Sequence, residues 1–119
     1  MNFKEYQEKT QSTAVYPSCF VETSEHESTE TRWLYPALGL SGEVGEVEEK
    51  LKKILRDKKG LISREDKELL QKELGDVLWY VAQLCETLGI SMQNAAECNL
   101  IKLADRKARG VLQGSGDER

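Results

Sequence analysis

Two short acidic stretches hold the residues best suited to chemistry. Glu43-Val44-Gly45-Glu46 and Glu73-Leu74-Gly75-Asp76 each place two carboxylates three residues apart, within segments whose apolar spacing is helical. In a helix, residues at i and i+3 project from nearly one face, so each stretch aims a pair of acids in one direction. Two such pairs facing each other would form a divalent-cation site with Glu43, Glu46, Glu73 and Asp76 as ligands. Four carboxylates gathered without cations would repel one another and resist desolvation. Oxygen ligands without imidazole or thiolate favour Mg2+, with Mn2+ as a possible substitute. Magnesium usually keeps several waters and takes phosphate oxygens as well, so a nucleoside triphosphate would complete its coordination.

Acidic residues at helical spacing also form solvated faces that pair with Lys at i+4, as Glu46 would with Lys50 and Glu49 with Lys53. One acidic pair is therefore unspecific. Two pairs on separate helices, each with a glycine before the second acid and each beside an apolar stripe, favour a site. Gly42 and Gly45 inside a helix each cost about 1 kcal/mol relative to Ala, which close helix packing or room for a ligand would offset. Further along, Asn99 and Lys102 lie at i, i+3 with Arg106 one turn beyond on the same side. An amide there can orient a phosphate, and the cations can offset charge on phosphate oxygens, although Lys and Arg also suit the C-terminal end of a helix.

Four main helices must position these groups. A short one is expected over residues 3–14, ended before Pro17. Ser18 to Thr31, rich in Ser, Thr and Glu, reads as a connecting loop that is mobile or exposed. The second helix is predicted from Pro36 to Lys58, stopped by Gly60, with Val44, Val47, Leu51, Ile54 and Leu55 as its apolar stripe. Ser63 with Asp66 forms a capping-box pattern that opens a third helix reaching Leu88, before Gly89. Its apolar positions run nearly all round, which predicts burial at the centre of a bundle or at a subunit interface. Ser91 caps a fourth, Met92 to Lys107, whose packing side carries Ala95, Ala96, Leu100 and Leu103. Past Gly110 a Gly-rich charged tail is expected to be flexible. No run alternates as a strand would, so the fold class is all-α.

The 119 residues, 39% hydrophobic, suit a single domain spanning 1–119 that gains burial by oligomerising. With 21 acidic and 17 basic residues the net charge is -4, which argues against a general nucleic-acid binder. No apolar run reaches a membrane span, and the polar N-terminus is unlike a secretory signal, so a cytoplasmic protein is expected. Cys19, Cys85 and Cys98 form no CxxC pair and read as reduced thiols, with Cys85 in the core. His26 is the lone histidine, which disfavours histidine-based zinc chemistry and a di-iron bundle built on Glu-x-x-His pairs.

The stretches LGLSGEVGEVEEKLKK and KELGDVLWYVAQLCETLGIS, followed by ECNLIKLADRKARG, resemble the MazG-like branch of the all-α nucleoside triphosphate pyrophosphohydrolases. That family's ExxE, variable spacer and ExxD match Glu43, Glu46, Glu73 and Asp76, with 26 residues between Glu46 and Glu73. Its Asn and Lys on the following helix match Asn99 and Lys102. The resemblance covers about Tyr35 to the C-terminus. It implies Mg-dependent cleavage between the α- and β-phosphates, giving a monophosphate and pyrophosphate, in a homodimer or homotetramer, with a role in sanitising or regulating the nucleotide pool. On that reading Glu46, or else Glu43, takes a proton from water, and Lys102 and Arg106 stabilise the phosphates. Trp33, Tyr35, Trp79 and Tyr80 are candidates to stack on a base or to serve as packing residues, Trp79 being placed nearest the site by its spacing from Asp76. A dUTP- or dCTP-selective pyrophosphatase and a non-enzymatic helical interaction module are the alternatives.

Overall fold

Helix-forming spacing, caps and breakers produce helices close to where they are expected. The computed structural model describes residues 1–17, 20–22 and 28–119, with side chains described for 1–17 and 31–119. Helix α1 spans Phe3–Thr10, with the Asn2 side chain accepting from the Glu5 N–H, and tightens into a 3-10 turn over Gln11–Thr13. Helix α2 spans Leu34–Lys58, starting two residues ahead of Pro36. Its stop is made by two left-handed residues rather than glycine alone, because Lys59 (φ 54°) precedes Gly60 (φ 78°). Helix α3 spans Arg64–Thr87 behind the expected reciprocal capping box of Ser63 and Asp66. Helix α4 spans Met92–Ala108, with Ser91 accepting from the Asn94 N–H.

One local correction concerns the connection before α2. Strands β1 (Phe20–Glu22) and β2 (Ser28–Glu30) pair antiparallel, Val21 opposite Thr29, so part of the segment expected as a loop is a short ribbon. Each strand is too short to show a period-2 pattern, which hides it from the sequence. Residues 18, 19 and 23–27, with Cys19 and His26 among them, lie outside the described residues. The fold is otherwise all-α, as the periodicity predicts.

Helices α2 and α3 form an antiparallel hairpin, with α1 laid on α3 and α4 meeting α1 and the end of α3. Near the turn, Lys58 on α2 holds Asp66 on α3 at 2.7 Å. Polar side chains fasten α1. The fully buried Gln83 donates to Thr10 Oγ1 at 2.7 Å and accepts from the Tyr16 hydroxyl at 2.9 Å. Gln7 donates to Glu86 and to the Ile90 carbonyl, and accepts from the Met92 N–H.

The apolar core is small. Ile54, Ala82 and Met92 are buried, whereas Leu55 is 70% exposed and Leu100 68% exposed. The expectation that the stripes of α2, α3 and α4 bury their leucines therefore fails within one chain. Leu51, Leu74, Leu78 and Leu103 also remain accessible. A radius of gyration of 18.3 Å, against about 13–14 Å for a compact chain of this length, gives the reason: an open arrangement of long helices does not enclose its own apolar faces.

Candidate metal and nucleotide site

The α2–α3 hairpin brings together three of the four carboxylates. Glu43 from α2, with Glu73 and Asp76 from α3, offers ligand oxygens that all lie within 4.8 Å of one another. Glu43 and Glu73 are half-buried and Asp76 is exposed. Burial, followed by the charges of Asp76, Glu73 and Glu46, pushes the Glu43 carboxyl above its ordinary range. Carboxylates held close at this cost suit a hard divalent cation, so the donor set fits the expected metal. Glu46 is exposed and stands outside the three-oxygen group.

Lys50 was missed as a member of this site. Its ammonium lies 3.1 Å from Glu73 across the hairpin, instead of pairing with Glu46 as its i+4 spacing suggests. Lys50 is seven residues from Glu43, on the same face two turns on, and that spacing was the available signal. Glu49 does pair with Lys53, at 3.2 Å, and also with Lys52. From α1, Tyr6 reaches the neighbourhood of Asp76. Burial first, and then that charge, raise its hydroxyl pKa.

Beside the carboxylates lies an aromatic cavity of about 220 Å³, lined by Tyr16, Tyr35, Trp79 and Tyr80 with Thr13 and Pro17. This is below the roughly 300–1,000 Å³ of a whole small-molecule pocket, and it offers room for one moiety of a ligand. Tyr16 and Tyr35 stack at 5.1 Å with their planes 3° apart. Trp79 meets Tyr80 edge-on at 5.0 Å and donates its indole N–H to Thr13 Oγ1 at 2.8 Å. Burial, the Tyr35 hydroxyl and the charges of Glu43 and Asp76 raise the Tyr80 pKa. Trp33 is exposed and lies outside this lining.

The residues expected on α4 are not gathered in. Asn99 and Lys102 are exposed and make no side-chain hydrogen bond or ion pair among the described residues. Arg106, expected on the same open side, is instead buried. The tail beyond Gly110 lies back over it. Arg106 donates to the Asp117 carbonyl at 2.6 Å, and Arg109 donates to the Arg119 carbonyl. Cys85 is half-buried rather than fully in the core, and burial raises its thiol pKa; Cys98 is exposed.

A Cβ at Gly42, Gly45 or Gly75 would meet nothing within 4 Å, so close packing inside the chain does not account for them. The tight approach is at Gly39, where a Cβ would clash with the Tyr80 ring.

An antiparallel helical hairpin with converging carboxylates beside an aromatic cavity defines an all-α protein with a candidate cation site. Residues 35–111 match the MazG nucleotide pyrophosphohydrolase domain, and the chain belongs to that family. It is also similar to the Gene 37 protein of Mycobacterium phage L5, at 48% identity over 114 residues that cover 96% of both chains. No solved structure matches it. Among the described residues, no helix is long and apolar enough to cross a membrane.

Proposed function

We propose that this chain, as one domain, hydrolyses nucleoside triphosphates between the α- and β-phosphates, releasing a monophosphate and pyrophosphate. The observation that carries the reading is the convergence of Glu43, Glu73 and Asp76 oxygens within 4.8 Å in a member of a pyrophosphohydrolase family. These three carboxylates hold Mg2+, with Mn2+ as a substitute. A bound divalent cation supplies positive charge against the triphosphate and makes water a better nucleophile.

Glu46 is exposed one turn beyond Glu43 and outside the converging trio. That leaves it free to take the proton of the attacking water, with Glu43 as the second candidate. The family resemblance assigns the phosphate oxygens to Lys102 and to the Asn99 amide, which this chain by itself does not bring to the carboxylates. Arg106 joins them only if the folded-back tail releases it. The base enters the aromatic cavity, bordered by Trp79. The uncovered leucines of α2, α3 and α4 are covered in a homodimer or homotetramer, and the protein works in the cytoplasm on the nucleotide pool.

The test is pyrophosphate release from each ribo- and deoxynucleoside triphosphate with Mg2+, using Asp76→Asn as the control for contaminating activity. Release of pyrophosphate together with monophosphate by the wild type alone is expected. A strong preference for dUTP or dCTP would narrow the reading to a base-selective enzyme. No release from any nucleotide would overturn the reading in favour of a helical interaction module.

A further inference from the structure

Lys50 puts a tethered positive charge on a carboxylate of the candidate cation site. Its ammonium lies 3.1 Å from Glu73, and Glu73 is one of the three residues whose ligand oxygens converge within 4.8 Å. The two side chains keep only 30% and 19% of their accessibility, so salt and water screen this pair less than an exposed one. Helical side chains lean toward the N-terminus of their own helix. Lys50 therefore reaches back toward the carboxylates rather than on toward the turn of the hairpin.

An ammonium and a divalent cation on one carboxylate repel each other. Glu43, Glu73 and Asp76 carry three formal negative charges, of which Lys50 offsets one and a divalent cation two. With both in place the trio is neutral, and Lys50 is no longer needed on Glu73. A triphosphate arriving with the cation brings fresh negative charge, and the nearest tethered ammonium can meet it. Lysine suits such an exchange, being a hydrated point charge on a flexible four-carbon stem with no fixed two-pronged geometry to satisfy. The stem has room to move, because Lys50 borders a cavity of about 180 Å³ together with Lys53, Ile54 and Leu69.

We propose that Lys50 is a displaceable counter-ion that makes cation binding depend on the triphosphate, holding Glu73 until the cation arrives and then passing to the phosphates. The inference rests on the pyrophosphohydrolase reading above for the position of the phosphates. On this assignment Lys50 opposes a lone divalent cation and favours a cation–triphosphate complex. A lysine that merely tied α2 to α3, or merely oriented Glu73, would favour both. Its loss would then weaken both, whereas loss of a displaceable counter-ion moves the two affinities in opposite directions.

The experiment is calorimetric titration with Mn2+ alone and, separately, with the Mn2+ complexes of the α,β-methylene analogues of the ribo- and deoxynucleoside triphosphates. It uses wild type, Lys50→Met, Lys50→Gln and Lys50→Arg. Met and Gln remove the charge at little change in helix propensity, and circular dichroism checks that each variant is folded. Both are expected to bind lone Mn2+ about threefold or more tightly than wild type, and the best nucleotide complex about threefold or more weakly. Together these changes amount to a coupling of about tenfold, within the ordinary range for linked sites. Lys50→Arg keeps the charge and is expected to shift neither affinity in the direction of Lys50→Met. Losses in both titrations, no change in either, or Lys50→Arg behaving as Lys50→Met would overturn the assignment. A wild type that takes no nucleotide complex would overturn it together with the pyrophosphohydrolase reading. The crossed pattern in a wild type that releases no pyrophosphate would sink the proposed reaction while leaving Lys50 in its role.

Discussion

Asp66 and Glu43 are acids on the same helical hairpin, yet their surroundings push them in opposite directions. At the turn, Asp66 accepts from the Lys58 ammonium and from the Ser63 N–H and hydroxyl. These partners, Lys58 first, bring its pKa down to about 2. Glu43 meets burial and three other carboxylates, and its pKa rises. A carboxylate whose partners all come from the chain serves the fold. One whose neighbours repel it needs a partner from outside, which is the condition of a binding site.

The contrast breaks most visibly by neutralising each end in turn. Glu73→Gln is expected to lower kcat/KM by at least roughly 100-fold, the upper cost of losing even an outer partner of a metal ligand. Its melting temperature should change little, because relief of repulsion at Glu43 offsets loss of the Lys50–Glu73 ion pair. A collapse in melting temperature with retained turnover would invert the assignment.

Next in size is the response to cation. A carboxyl whose folded pKa lies above its ordinary 4.5 favours the protonated folded state, so its effect on stability becomes more adverse as pH rises through the folded value. Mg2+ or Mn2+ should therefore raise the melting temperature clearly at about pH 7 and less at about pH 4, where a proton competes for the Glu43 carboxyl. Differential scanning fluorimetry across pH reads this directly.

The smallest effect on function is expected at the turn. Asp66→Asn should lower the melting temperature by several degrees while kcat and KM stay within about twofold, since Asp66 lies ten residues, about 15 Å of helix, from Asp76. The sign of its pH dependence is the reverse of Glu43's. With a folded pKa of about 2 against an ordinary 3.8, Asp66 contributes fully above the higher value, and that contribution is lost as pH falls through the lower one. Wild type should show this acid loss and Asp66→Asn should lack it.

Local relations were legible in the sequence because they act over three or four residues. The Ser63–Asp66 box, the caps at Ser91 and the breaks near Gly60, Gly89 and Gly110 fall where the residue types place them. So do Glu43, Glu73 and Asp76 on facing helices. Relations set by the register between helices were not legible. Lys50 crosses to Glu73 rather than staying with Glu46, and Gly39 rather than Gly42 or Gly45 receives a neighbouring side chain. Arg106 looked open because the sequence does not reveal that its own tail turns back over it. The leucine stripes mark apolar faces correctly, but periodicity cannot tell whether the same chain covers them.

Helix α1 is joined to the rest through amides and hydroxyls, chiefly Gln7, Thr10 and Gln83. Such contacts are directional and release together once their alignment is lost, whereas apolar contacts can slide. Backbone amides of α1 should therefore exchange with deuterium in a step of their own, ahead of those in the α2–α3 hairpin. That opening would carry Tyr6 away from Asp76 and, through the 3-10 turn that follows α1, Tyr16 away from Tyr35, loosening the carboxylate cluster and the aromatic cavity at once while the hairpin beneath them stays folded.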